Sequence, residues 1–169
     1  MTHVSTEIDP RFFPDIKRTS AEQITGFFIF LLIPLPLFIL SLQLAPFATH
    51  PFWSFTFSIP TSFFSWFNTA FVLFFITSNW MLWRGASLKH LKLELSLSFL
   101  ALSFHALWFY CFFYVNQPLS AFILLLLLFS TLLVLGFAFW KKNRTAGIIF
   151  FPYLIWISYI SILNTFFCL

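Results

Sequence analysis

Hydrophobic residues in this chain run in long tracts broken only at a few polar islands. Between Glu22 and Arg84 stand 61 consecutive residues without a Lys, Arg, Asp or Glu, between Glu94 and Lys141 another 46, and after Arg144 a final 25. A membrane crossing needs about 20 apolar residues to span about 30 Å of hydrocarbon, so the tracts hold two, two and one helical crossings. The pattern predicts an all-α, five-transmembrane-helix bundle: a polar N-terminal segment, 1–20, then one membrane domain, 21–169, with spans at about 21–44, 60–83, 89–114, 118–140 and 146–168. Ser20 with Gln23 reads as a capping box for the first span, which Pro34 and Pro36 should bend. Pro60 stands where the second would begin, and Asn116-Gln117-Pro118 forms a tight turn before the fourth. Residues 45–59 form the longest loop, too aromatic for a solvated linker.

Composition agrees, at 60 % apolar and 8 % charged, far below the roughly 25 % charged share of globular domains. The net charge of +4 would suggest nucleic acid in a soluble protein, but position decides otherwise. All nine cations fall in three islands: Arg11, Lys17 and Arg18; Arg84, Lys89 and Lys92; Lys141, Lys142 and Arg144. Five alternating helices bring these to one face, which places the N-terminus inside and the C-terminus outside. The partner is therefore a lipid bilayer, with no nucleic acid. Cys111 and Cys168 read as small apolar residues, neither at a metal-binding spacing. The 29 phenylalanines read mostly as lipid-facing filler.

Polar residues inside spans carry the information. Thr61, Ser65, Asn68, Phe75 and Asn79 recur on one face of the second span, since 11 residues of helix return to within about 20° of the starting direction. That face must look inward, either to bond a neighbouring helix or to meet a ligand. In the third span Ser98, His105, Trp108 and Phe112 share a stripe beside Cys111. In the fifth, Trp156, Tyr159, Leu163 and Phe166 form one stripe, and Tyr153, Ile160 and Asn164 the adjacent one. Facing helices carrying Trp108, Trp156, Tyr153 and Asn68 would enclose an aromatic cavity suited to a flat, mostly apolar ligand. His105 could bond a ligand carboxylate, approach a metal in a bound macrocycle, or simply bond a neighbouring helix. There is no Ser/His/Asp set, Gly-rich phosphate loop or paired carboxylate, so no catalytic residue is assigned and an enzyme is the weaker reading.

The stretch Phe139-Trp140-Lys-Lys-Asn-Arg144-Thr-Ala146-Gly147, followed by Pro152-Tyr153-Leu154-Ile-Trp156 and Leu163-Asn164, resembles the TspO/MBR family, the tryptophan-rich sensory proteins that include the mitochondrial translocator protein. His105-Ala-Leu-Trp108-Phe-Tyr-Cys111-Phe112-Phe113 is similar to the family's Asn-x-x-Trp-Ser-Pro-x-Phe-Phe, and Asn116-Gln117-Pro118 to its His-Arg-Pro turn. The N-terminal half departs further: Pro60 and Thr69 match, whereas two family tryptophans stand here as Ser62 and Asn68. The resemblance implies a five-helix fold that binds porphyrins and other hydrophobic small molecules in an intrahelical cavity. Trp108, Cys111, Trp156 and Ile160 would line it, with Pro60 and Asn68 near its mouth and His105 in place of the family Asn. A porphyrin or haem would be a ligand, no cofactor being required. A homodimer is the other partner implied, through the third helix, where this chain has Ser96 and Leu100.

Three functions follow as expectations: tetrapyrrole sensing, scavenging or transport; light-driven porphyrin breakdown; and a structural bundle without a dedicated ligand. The odd span count has its own test. Labelling sealed vesicles from each side is expected to reach the two termini from opposite faces, and reaching both from one face would contradict five crossings.

Overall fold

A computed structural model of the chain describes residues 18–34, 39 and 61–168, the side chains at 61–63, 65 and 166–168 excepted. The described residues form five α-helices: α1 (Ser20–Leu32), α2 (Thr61–Gly85), α3 (Lys92–Phe113), α4 (Pro118–Lys142) and α5 (Arg144–Cys168), with a short 3₁₀ turn at Leu88–His90. No strand occurs among the described residues. Lys92–Phe113, Pro118–Lys142 and Arg144–Thr165 are long and apolar enough to cross a membrane, and α2 has 25 residues.

Each helix begins and ends for a local reason. The α1 capping box uses Thr19 and Glu22, one residue ahead of the expected Ser20 and Gln23: the Thr19 hydroxyl accepts from the Glu22 N–H at 3.3 Å, and the Thr19 N–H donates to the Glu22 carboxylate at 2.8 Å. The helix stops at Leu32, just ahead of Pro34, which cannot donate to the ladder. Beyond it only residue 39 is described before 61, so most of the rest of the expected first span, the 45–59 loop and Pro60 lie outside the described residues. The third helix starts at Lys92 rather than 89 because Leu88–His90 forms its own turn. Asn116 takes a left-handed conformation, φ 54°, which Asn tolerates better than most side chains, and Pro118 occupies the first turn of α4.

The helices pack in the order α1, α2, α5, α4, α3, and α3 reaches back to α2 through side chains. On α4 the buried positions are Ala121, Leu125, Leu128, Leu132, Leu135 and Phe139, a strict alternation of four- and three-residue steps that makes one narrow seam. Outward-facing residues are large and apolar: Phe99, Phe137 and Trp66 are each about 70 % exposed (68 %, 72 % and 71 %), as lipid contact requires. Phe64, Phe75, Phe109, Phe112, Phe113, Phe139 and Phe150 are buried instead, so these seven are core residues and not lipid-facing filler.

Charged groups tie the bundle at one end. Arg18 donates to the Trp83 and Ala86 carbonyls at 3.2 and 3.1 Å, satisfying acceptors where α2 ends, and its guanidinium lies 3.8 Å from the Trp83 ring centre. Gly26 makes this approach of α1 possible, since a methyl group there would overlap the Trp83 ring. Lys142, ending α4, pairs with Glu94 at 2.6 Å and donates to the His90 carbonyl at 2.8 Å. Glu94 sits in the first turn of α3, where the helix dipole favours a carboxylate.

Because Glu94 is buried and Lys142 is part-exposed, the two are unequal under mutation. Lys142→Met should destabilise the protein by about 3–5 kcal/mol by stranding a buried carboxylate, and Glu94→Gln by clearly less. Thermal unfolding in detergent measures the difference, and equal losses would contradict it.

Candidate functional site

The inward faces of α2, α3 and α5 meet in a continuous seam of aromatic and polar side chains. Asn68, 3 % exposed, accepts a hydrogen bond from the Trp156 indole Nε1 at 3.1 Å. Trp156 lies nearly parallel to Phe71, with ring centres 5.0 Å apart and planes 21° apart, and to Phe67 at 6.1 Å and 25°. Phe64 bridges onward, 5.4 Å from Trp156 and 6.2 Å from Phe113, which in turn sits edge-on to Trp108 at 6.1 Å. Trp108 contacts His105 at 5.6 Å, and His105 stacks on Tyr153 at 5.9 Å with a 2.7 Å bond between His105 Nδ1 and the Tyr153 hydroxyl. Tyr153 and Trp156 are one helical turn apart on α5, which closes the circuit.

The sequence-predicted residues are therefore largely brought together. Trp108, Trp156, His105, Tyr153, Ile160 and Asn68 are all buried, and Cys111 is half-buried with a free thiol. The polar face of α2 bonds its neighbours: Asn68 meets Trp156, and Asn79 accepts from Ser98 at 2.6 Å while donating to the Phe75 carbonyl at 2.9 Å. Hydroxyls elsewhere in the spans, including Thr77, Ser78, Ser103 and Thr131, donate to carbonyls four residues back at 2.8–2.9 Å, which uses their one proton within their own helix. Pro60 lies outside the described residues. Ser96 and Leu100 are both exposed on α3.

Four buried polar atoms in this region have no hydrogen-bond partner: His105 Nε2, Trp108 Nε1 and both amide atoms of Asn164. Each unpaired group costs about 1–3 kcal/mol in a protein interior and more in surroundings without water. Two cavities bounded by described residues lie elsewhere: about 260 Å³ between α2 and α3 beneath Phe30 and Ile33, and about 580 Å³ on the outer side of α4 and α5. Neither is lined by Trp108 or Trp156, so the expectation of an open cavity enclosed by Trp108, Trp156, Tyr153 and Asn68 is not met by these two spaces. The indole of Trp156 is covered by phenylalanines of its own chain instead. No three His, Cys, Asp or Glu side chains gather as a metal site among the described residues.

Sequence reasoning did not single out Phe64, Phe67 and Phe71. Their signal was the register of α2: Phe64, Phe71 and Phe75 lie at helical spacing around Asn68, on the face already read as inward.

The TspO/MBR family model matches residues 32–169. The chain belongs to the TspO/MBR family. Comparison with curated proteins and with solved structures gave no match. The matched segment takes in the whole of α2 to α5, so the seam described here lies within the family domain, and the protein is a TspO-like integral membrane protein.

The Asn68–Trp156 bond has a measurable consequence. Asn68→Leu should cost about 1–3 kcal/mol by leaving the indole N–H unpaired. The same change in a Trp156→Phe background should cost less than half of that. A double-mutant cycle showing no coupling would mean that the bond does not hold α2 to α5.

Proposed function

We propose that this TspO/MBR protein binds flat hydrophobic small molecules of the porphyrin type within the α2–α3–α5 seam, as a receptor, scavenger or carrier rather than as an enzyme. The observation that carries the reading is the coincidence of stacked aromatic rings with the unpaired Trp108 Nε1, His105 Nε2 and Asn164 amide. An apolar macrocycle with a few polar edges, such as a porphyrin or haem, would satisfy polar atoms that the bundle leaves idle while stacking on its rings. Seating it requires Phe67, about half exposed (49 %), or the Trp156 ring to swing aside. The bundle is oriented with its N-terminus inside and its C-terminus outside. The contacts of Arg18 with the end of α2 and of Lys142 with the start of α3 support this by gathering cations at one end.

A bundle with no dedicated ligand is favoured by the close ring contacts around Trp156, and one titration separates the two readings. Protoporphyrin added to the purified protein should quench tryptophan fluorescence saturably, and Trp156→Phe should weaken affinity by roughly twofold to tenfold, the worth of an aromatic stacking contact. Unchanged affinity in a variant lacking both Trp108 and Trp156 would remove the porphyrin reading.

A further inference from the structure

On the outer side of the α4–α5 pair lies a groove of about 580 Å³ that the interior seam does not use. Two glycines allow it. A methyl group at Gly147 would come within 3.1 Å of the Trp140 backbone, and one at Gly136 within 3.2 Å of the Phe150 ring. The helices thus approach closely, leaving a trough between Phe137 and Phe151, which are 72 % and 57 % exposed. Such a trough is the size of a small-molecule site and is lined by apolar side chains.

At one end of the trough the lining Trp140 adjoins Lys141 and Lys142 in the last turn of α4 and, across Asn143, Arg144 at the start of α5. These three cations divide by role. Lys142 is turned into the bundle and held by Glu94 and the His90 carbonyl. Lys141 and Arg144 are exposed and make no hydrogen bond or ion pair with any described residue. An apolar trough in the span, an interfacial indole and two free cations at the headgroup level match the parts of one molecule: an acyl chain, a glycerol backbone and a phosphate.

We propose that this groove holds a single anionic phospholipid, its acyl chain along Gly136 and Gly147 and its phosphate at Lys141 and Arg144. A neutral lipid would leave both cations unanswered. A second copy of the chain is disfavoured, because a two-fold axis along the bilayer normal would set Lys141 and Arg144 of both copies side by side at equal depth. Basic pockets between helices recognise anionic headgroups by this charge pairing, and two cations correspond to a roughly thirtyfold preference over a zwitterionic headgroup.

The test uses the full chain in nanodiscs of mixed phosphatidylglycerol and phosphatidylcholine, with bound lipid counted by native mass spectrometry. One phosphatidylglycerol should be retained in preference to phosphatidylcholine. K141Q/R144Q should abolish the preference. Leu133→Trp, which fills the trough from a part-exposed position with both charges in place, should abolish retention. Porphyrin affinity should be unchanged in both variants, so the lipid and porphyrin readings fail separately. Equal retention of the two lipids, or wild-type retention in either variant, would overturn the proposal. So would displacement by soluble glycerol phosphate, or cross-linking of two copies through Phe137→Cys.

Discussion

A bilayer interior offers no water to hydrogen-bond, so every polar side chain in a span must find its partner within the protein. That constraint explains the three cross-helix bonds that join α2, α3 and α5: Asn68 with Trp156, Asn79 with Ser98, and His105 with Tyr153. Each is worth about 0.6 kcal/mol in membrane bundles, too little to drive assembly, but each fixes register because a slip would leave its groups stranded. Packing supplies the rest. The leucine seam of α4 and the rings between α2, α3 and α5 replace lipid contacts with denser protein ones.

The same constraint makes the exceptions informative. The hydroxyls of Thr77, Ser78, Ser103 and Thr131 donate to the carbonyl four residues back, whereas Trp108, His105 and Asn164 carry buried polar atoms without a partner. Under the proposed function these atoms would meet the polar edges of a flat ligand stacked on the neighbouring rings. The charged end of the bundle has a separate duty: Arg18, Glu94 and Lys142 hold helix ends together, while Lys141 and Arg144 bond no described residue. Within the Lys141–Arg144 island, Lys142 anchors helix ends, while Lys141 and Arg144 are the cations proposed to meet a lipid headgroup.

Much of this was legible in the chain. Tracts without charge foretold the helical bundle because ionic side chains cannot stay in hydrocarbon, and the spacing of Asn68 and Asn79 foretold an inward face because helical period fixes direction. The C-terminal motifs carried the family, and the family model matches residues 32–169. What stayed hidden depends on which helices become neighbours. Nothing local distinguishes the buried Phe109 and Phe150 from the exposed Phe99 and Phe137 until the helices are placed against one another. The Glu94–Lys142 pair joins residues far apart in sequence, and the Thr19 cap differs from the Ser20 reading by one residue, which hydrophobic pattern alone does not resolve.

The most direct measurement of the central claim is the indole N–H spectrum of the ¹⁵N-tryptophan-labelled protein in detergent, with and without protoporphyrin. The structure predicts that the Trp156 N–H is hydrogen-bonded and slow to exchange in the free protein, and that the Trp108 N–H moves downfield when the porphyrin binds. A rapidly exchanging Trp156 N–H, or a Trp108 signal indifferent to saturating porphyrin, would contradict the account.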